Sequence, residues 1–269
     1  MEQLTGGTSS HQDTGYFAVS RRPLHVLVFL LPLIIFYELG SLGLLGSENR
    51  AVAIRAERML ELLFDTFGLT AVHLPAIAIV VVLTIAHLAS KDNWRLRLPV
   101  LAGMLFESII WTLPLLILGQ IVMRLFGAPS QPLLENAAAA GIDGHALAST
   151  SLPVMSRLTV SIGAGLYEEL LFRMVGIALV HFVLHDLIGM KKTPAAIISI
   201  IVSAIAFAFY HDLSAPDGSI DMPRAALFVF AGLVFAVLYL VRGFGVAVGT
   251  HAAYDIAVLV ILPALSADA

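Results

Sequence analysis

Between Pro23 and Leu265 the chain returns again and again to apolar runs of about twenty residues, the length that carries an α-helix across a bilayer's hydrocarbon core of roughly 30 Å. In lipid every backbone N–H and C=O must be satisfied within the protein, so runs of this kind fold as helices. The pattern predicts an all-α fold: a polytopic membrane helix bundle of about seven transmembrane helices plus one interfacial amphipathic helix. Composition agrees, at 59% hydrophobic and 13% charged residues, where a soluble domain carries about 25% charged. Net charge is −4, so there is no basic excess for a nucleic acid partner. The absence of cysteine excludes disulfides, thiolate zinc sites and cysteine nucleophiles.

The spans are expected near residues 23–46, 72–89, 98–126, 157–187, 194–211, 224–241 and 246–265. Residues 48–67 differ from these. Arg50, Arg55, Glu57, Arg58, Glu61 and Asp65 alternate with Val52, Ile54, Met59, Leu60, Leu62, Leu63 and Phe64, which predicts an amphipathic helix lying in the membrane interface. The chain divides into a polar tail (1–22), an N-terminal membrane region (23–150) and a motif-bearing core (151–265). The tail lacks the apolar core of a cleaved signal peptide, so the first span is expected to stay as an anchor. Residues 127–156 and 212–223 form loops, and the first is free of lysine and arginine up to residue 156, the second throughout. Arg21, Arg22, Lys91, Arg95, Arg97, Lys191, Lys192 and Arg242 fall on one side of such a bundle, which predicts a cytoplasmic N-terminus in a cell membrane.

Against this apolar background, residues 167–173 place Glu168, Glu169 and Arg173 at membrane depth. Each such charge costs roughly 2.5–3.5 kcal/mol on insertion scales, so it is kept for a partner or a function. Helix geometry puts Glu169 and Arg173 on one face, where they can pair, and turns Glu168 about 100° away. Two other spans carry polar groups at the same spacing, Phe207 with His211 and His251 with Asp255. A carboxylate with two imidazoles suffices to activate water and stabilise an oxyanion. Taken singly, an intramembrane Glu or His is more often an interhelical hydrogen bond, and Glu38, Glu107, His25, His73 and His87 are read that way. The chain has no Gly-x-Ser-Gly, no His-Glu-x-x-His and no Gly-x-Gly-Asp, so three other intramembrane protease types find no support.

The ordered set is more specific than its parts. Glu-Glu-x-x-x-Arg (Glu168, Glu169, Arg173), Phe-x-x-x-His (Phe207, His211) and His-x-x-x-Asp (His251, Asp255) follow one another on successive spans. In this the chain resembles the CPBP family of CAAX proteases and bacteriocin-processing enzymes, over roughly residues 155–260; residues 1–150 share only their hydrophobic character. The resemblance implies an intramembrane glutamate-dependent endopeptidase acting on a membrane-associated protein or peptide, CAAX-type prenylated substrates among them. Glu168 would be the general base for water, and His211 would hold and polarise that water. His251 and Asp255 would sit beside the oxyanion, with Glu169, Arg173 and Phe207 in support.

Several readings stay open at this stage. Family members often carry asparagine where this chain has Asp255, and an ionised carboxylate cannot donate to an oxyanion. Asp255 could stay protonated, or it could keep His251 charged so that an imidazolium does the stabilising; the second is preferred. No cofactor is expected, although Glu168, His211 and His251 are also the ligand types of a two-His, one-carboxylate zinc site. A non-catalytic scaffold or bacteriocin-immunity protein, and a proton-coupled transporter using Glu168 and Glu169, are the alternatives outside proteolysis. Depth is the tension: counting places His211 near the outer end of its span and His251 only a few residues in from the other side, at about 1.5 Å per residue.

Overall fold

A computed structural model describes residues 15–43, 55–68, 73–126, 153–215 and 217–267. A single turn, α1 (Tyr16–Val19), leads into α2 (Pro23–Ser41), α3 (Arg55–Asp65), α4 (Leu74–Ser90) and α5 (Leu98–Leu125). After the break follow α6 (Val154–Leu187), α7 (Lys192–Tyr210), α8 (Met222–Arg242) and α9 (Phe244–Leu265). Six of these are long and apolar enough to cross a membrane, and α4, at 17 residues, is a shorter apolar helix beside them. Among the described residues there is no strand, only one isolated bridge between Ser214 and Ile220. The chain is an integral membrane protein of all-α architecture. The amphipathic segment is shorter than its sequence pattern suggests on the described side, and residues 48–54 lie outside the described residues, as does most of the 127–156 loop.

The bundle is built around α9. Of its apolar window 61% is buried, against 22–39% in the other five spans. It packs on α5 and α6, while α8 lies along α7 and α2 along α6. Without a hydrophobic drive between helices in lipid, close backbone approach has to supply the attraction, and small residues permit it. A Cβ on Gly165 of α6 would stand 2.8 Å from the Ala252 amide nitrogen, and one on Gly249 would collide with Ser108 and Phe29.

One end of the bundle is tied together by ions. Arg242, at the end of α8, forms an ion pair with Glu107 of α5, with its Nη2 donating at 2.7 Å, and Glu107 also accepts from the Tyr16 hydroxyl at 2.6 Å. Glu107 lies about two and a half turns inside α5. The α8–α9 turn at Gly243 (φ 87°) lies beside Arg21, just before the start of α2, and Gly249 of α9 lies against Phe29 of α2 and Ser108 of α5.

Helix α3 is docked, not free. Ala56, Glu57 and Leu60 are buried against the bundle, while Met59, Leu62 and Leu63 face outward. Its first turn is fastened to the end of α7: Arg55 Nη1 donates to the Tyr210 carbonyl at 2.6 Å, and the Ala56 amide to the Tyr210 hydroxyl at 2.9 Å. Tyr37 of α2 donates to the Glu57 carboxyl.

Candidate active site

The acidic stretch sits where α6 changes its winding. From Glu169 to Ile177 the helix widens into π-type turns, with regular α-helix on both sides. Insertions of this kind inside α-helices are rare and fall often at functional sites. Here the change begins between the two carboxylates. Glu168, Glu169 and Arg173 are all fully buried.

The paired and the available acid separate as their spacing predicts. Arg173 Nη1 lies 3.0 Å from Glu169 Oε1. Its Nη2 donates to the Gly232 carbonyl of α8 at 3.3 Å, and its Cζ lies 4.3 Å from the centre of the Phe207 ring. A desolvated guanidinium over an aromatic face gains a cation–π contribution of about 2 kcal/mol. Glu169 Oε1 also meets His251 Nδ1 at 2.8 Å. Neither oxygen of Glu168, by contrast, has a hydrogen bond of ordinary geometry among the described residues, with the Tyr210 hydroxyl close by.

Three helices converge on that carboxylate. His211 Nε2 is 3.9 Å and His251 Nε2 is 3.8 Å from the same oxygen, Oε2 of Glu168. The far nitrogen of each imidazole is held: His211 Nδ1 by the Phe207 carbonyl at 2.7 Å, His251 Nδ1 by Glu169. Those two bonds fix which nitrogen faces Glu168, the arrangement that orients a histidine for proton or ligand chemistry. Asp255 Oδ2 lies 3.7 Å from His251 Nε2, one turn along α9. Every residue singled out from the sequence thus meets at one place, and Phe207 serves there through both its carbonyl and its ring.

The depth tension resolves through helix ends. α7 stops at Tyr210 inside the bundle, and His211 follows in extended conformation (φ −84°, ψ 158°). α9 reaches His251 about two turns after Gly243, with the neighbouring Ala252 against Gly165 of α6. α2 ends one turn beyond Glu38, which accepts from Tyr167, the neighbour of Glu168, at 2.8 Å and also pairs with His73. The site therefore lies near the end of the bundle that carries α3, away from the Arg242–Glu107 pair.

Of the five polar residues read as structural, Glu38 and His73 pair with each other, Glu107 binds Arg242, and His25 Nε2 accepts from the Arg97 amide at 3.2 Å. His87 makes no hydrogen bond among the described residues and meets the Trp94 ring edge-on at 4.3 Å. The sequence reading missed Tyr210, which fastens α3 beside His211, and Phe228 and Phe235 of α8, whose rings lie against the two imidazoles. An aromatic residue in an apolar span has no contrast with its surroundings, so only its spacing on the helix could have drawn attention to it.

Residues 150–257 match the family model described as type II CAAX prenyl endopeptidase Rce1-like. No curated protein and no solved structure matches the chain significantly. The matched region takes in all three motifs and every side chain of the convergence around Glu168. Residues 150–257, which hold the three motifs, are thus similar to the type II CAAX prenyl endopeptidase family.

Proposed function

We propose that the protein is an intramembrane endopeptidase in which Glu168 activates the hydrolytic water. The observation that carries this reading is the pair of imidazole nitrogens flanking one oxygen of the buried Glu168 carboxylate, at 3.9 and 3.8 Å. At these separations neither imidazole bonds the oxygen directly, which leaves its lone pairs open to a water. Glu168 takes a proton from that water, and the hydroxide attacks the scissile carbonyl carbon. His211 Nε2 orients the water. The negative charge gathering on the carbonyl oxygen is met by His251, whose ring nitrogens face Glu169 and Asp255. Collapse of the tetrahedral intermediate breaks the C–N bond, and the proton held by Glu168 passes to the departing amine. One water is consumed, leaving one carboxylate and one amine.

The same donors are of the types that hold a catalytic zinc. Among the described residues, however, no three His, Asp or Glu side chains are spaced as ligands of one metal ion. The metal-free mechanism and the zinc version make opposite predictions for chelation. The test is purified protein in detergent against a library of membrane-anchored peptides, with and without a prenyl group, before and after stringent chelation. Cleavage that survives chelation supports the proposal. Activity lost on chelation and restored by zinc would replace it with the metal version.

The compartment follows from charge. All three lysines of the helix-connecting turns, with Arg21, Arg22, Arg95, Arg97 and Arg242, lie at the end of the bundle opposite α3. Read by the positive-inside rule, that end and the N-terminus are cytoplasmic, and the site opens toward the non-cytoplasmic face. The chain has no cysteine, so single-cysteine labelling is clean. An impermeant maleimide on intact cells is expected to label Asp217→Cys and spare Lys191→Cys. The reverse result would place the site toward the cytoplasm.

A further inference from the structure

We propose that Phe228 and Phe235 are positioning residues for the two imidazoles, so that α8, a helix without any of the three motifs, sets the aim of the site. The inference rests on the proteolytic reading above. Phe228 stacks face to face on His211, with centroids 4.0 Å apart and planes 13° apart. Phe235 stacks likewise on His251, at 4.5 Å and 17°. The other rings touching these histidines meet them edge-on: Phe207 at 62° and 70°, and Tyr210 at 87°.

The two kinds of contact constrain different motions. A hydrogen bond at Nδ1 fixes one atom of the imidazole and leaves the ring free to pivot about that bond. A flat surface against the ring face removes the pivot. With both in place, the direction of Nε2 is set: in His211 it faces Glu168 Oε2, and in His251 it faces Glu168 Oε2 and Asp255 Oδ2 together.

Spacing explains how one helix serves both histidines. Phe228 and Phe235 are about two helical turns apart and so share a face. Gly232 lies between them on that face. A Cβ there would stand 2.9 Å from Ala204 Cα, so glycine lets α8 close on α7, and its carbonyl receives Arg173. One face of α8 thus touches His211 on α7, Arg173 on α6 and His251 on α9. Both phenylalanines are buried, and a leucine would fill much of the same volume. Only a planar ring, however, gives the parallel stack.

The experiment compares Phe228→Leu and Phe235→Leu with Phe244→Leu, which removes a buried ring from the start of α9. Full-length protein in detergent is assayed on a peptide that the wild type cleaves, and thermal midpoints are recorded alongside. The proposal expects kcat to fall about tenfold in each stacking variant, with KM within twofold, as the loss of an oriented aromatic pair would give. Phe244→Leu should lose a similar amount of thermal stability and keep kcat within twofold. Should the leucine variants fail to fold, Phe228→Met and Phe235→Met are read in the same way. Wild-type kcat in the stacking variants, or an equal fall in Phe244→Leu, would overturn the proposal. If Glu168→Gln is inactive while the stacking variants keep the wild-type rate, the positioning role alone fails. If Glu168→Gln cleaves normally, the proteolytic reading fails with it.

Discussion

Gly165→Ala is the smallest change that should separate catalysis from folding in this protein. A Cβ at this position would stand 2.8 Å from the Ala252 nitrogen, 2.9 Å from the Ala252 Cβ and 2.9 Å from the Val248 carbonyl, where ordinary contact begins at 3.4 Å. The obstruction is largely backbone, so no side chain can swing aside, and α6 and α9 must part by about 0.6 Å, the difference between 3.4 and 2.8 Å. Glu168 lies one turn beyond Gly165, and His251 is the neighbour of Ala252. Displacing reacting groups by about 1 Å can cost a hundredfold in rate, so a shift of this size should lower kcat at least about tenfold. Stability should respond less. Over-packing costs about 1–3 kcal/mol, and replacing glycine by alanine inside a helix returns up to about 1 kcal/mol. The assay is kcat and KM on a cleaved peptide together with the thermal midpoint. Gly119→Ala, whose Cβ would meet only Leu227 Cδ1 at 3.6 Å, is the control expected to stay within twofold. A Gly165→Ala enzyme with wild-type kcat would show that the α6–α9 approach does not set the site.

Arg173→Met leaves the buried Glu169 carboxylate with His251 but without its guanidinium and should destabilise the protein by about 3 kcal/mol, with part recovered when Glu169→Gln is added; unfolding in a denaturing-detergent titration checks both. Burial pushes the Glu57 carboxyl on α3 up to about 7 from its ordinary 4.5, so the docked form holds a proton that the undocked form has released between those values. The docking of α3 should therefore weaken by about 3 kcal/mol as pH rises through that window and level off above it, seen as growing hydrogen exchange in α3; Glu57→Gln should abolish the dependence. Asp255→Asn removes the charge facing His251 Nε2 and should lower kcat and move the pH profile, and an unchanged profile would show that His251 does not depend on that charge.

How much of this could be read from the sequence depends on contrast. Glu168, Glu169, Arg173, His211, His251 and Asp255 stand out because charge at membrane depth is costly, and their i,i+4 spacing correctly assigned Glu169 to Arg173. The spans were legible for the same reason, from apolar length alone. What stayed hidden lacked contrast or depended on three-dimensional level. Phe228 and Phe235 are apolar residues in an apolar helix. The π-type winding that begins at Glu169 leaves no mark in residue type. Counting residues from the helix ends left open how His211 and His251 meet, since nothing in the sequence says that α7 ends within the bundle and presents His211 to Glu168 from its end. The fastening of α3 to Tyr210 was equally out of reach, since nothing in an interfacial amphipathic pattern names its docking partner.

The central claim is that Glu168 is the working carboxylate, and Glu168→Gln tests it most directly. The substitution keeps the size and shape of the side chain and removes its ability to take a proton from water. Purified wild type and variant are compared on one cleaved peptide, with folding checked by thermal midpoint. The account predicts a loss of cleavage of at least about a thousandfold, a loss of general-base catalysis combined with loss of the oriented water, with the midpoint preserved. Cleavage by folded Glu168→Gln at the wild-type rate would contradict it.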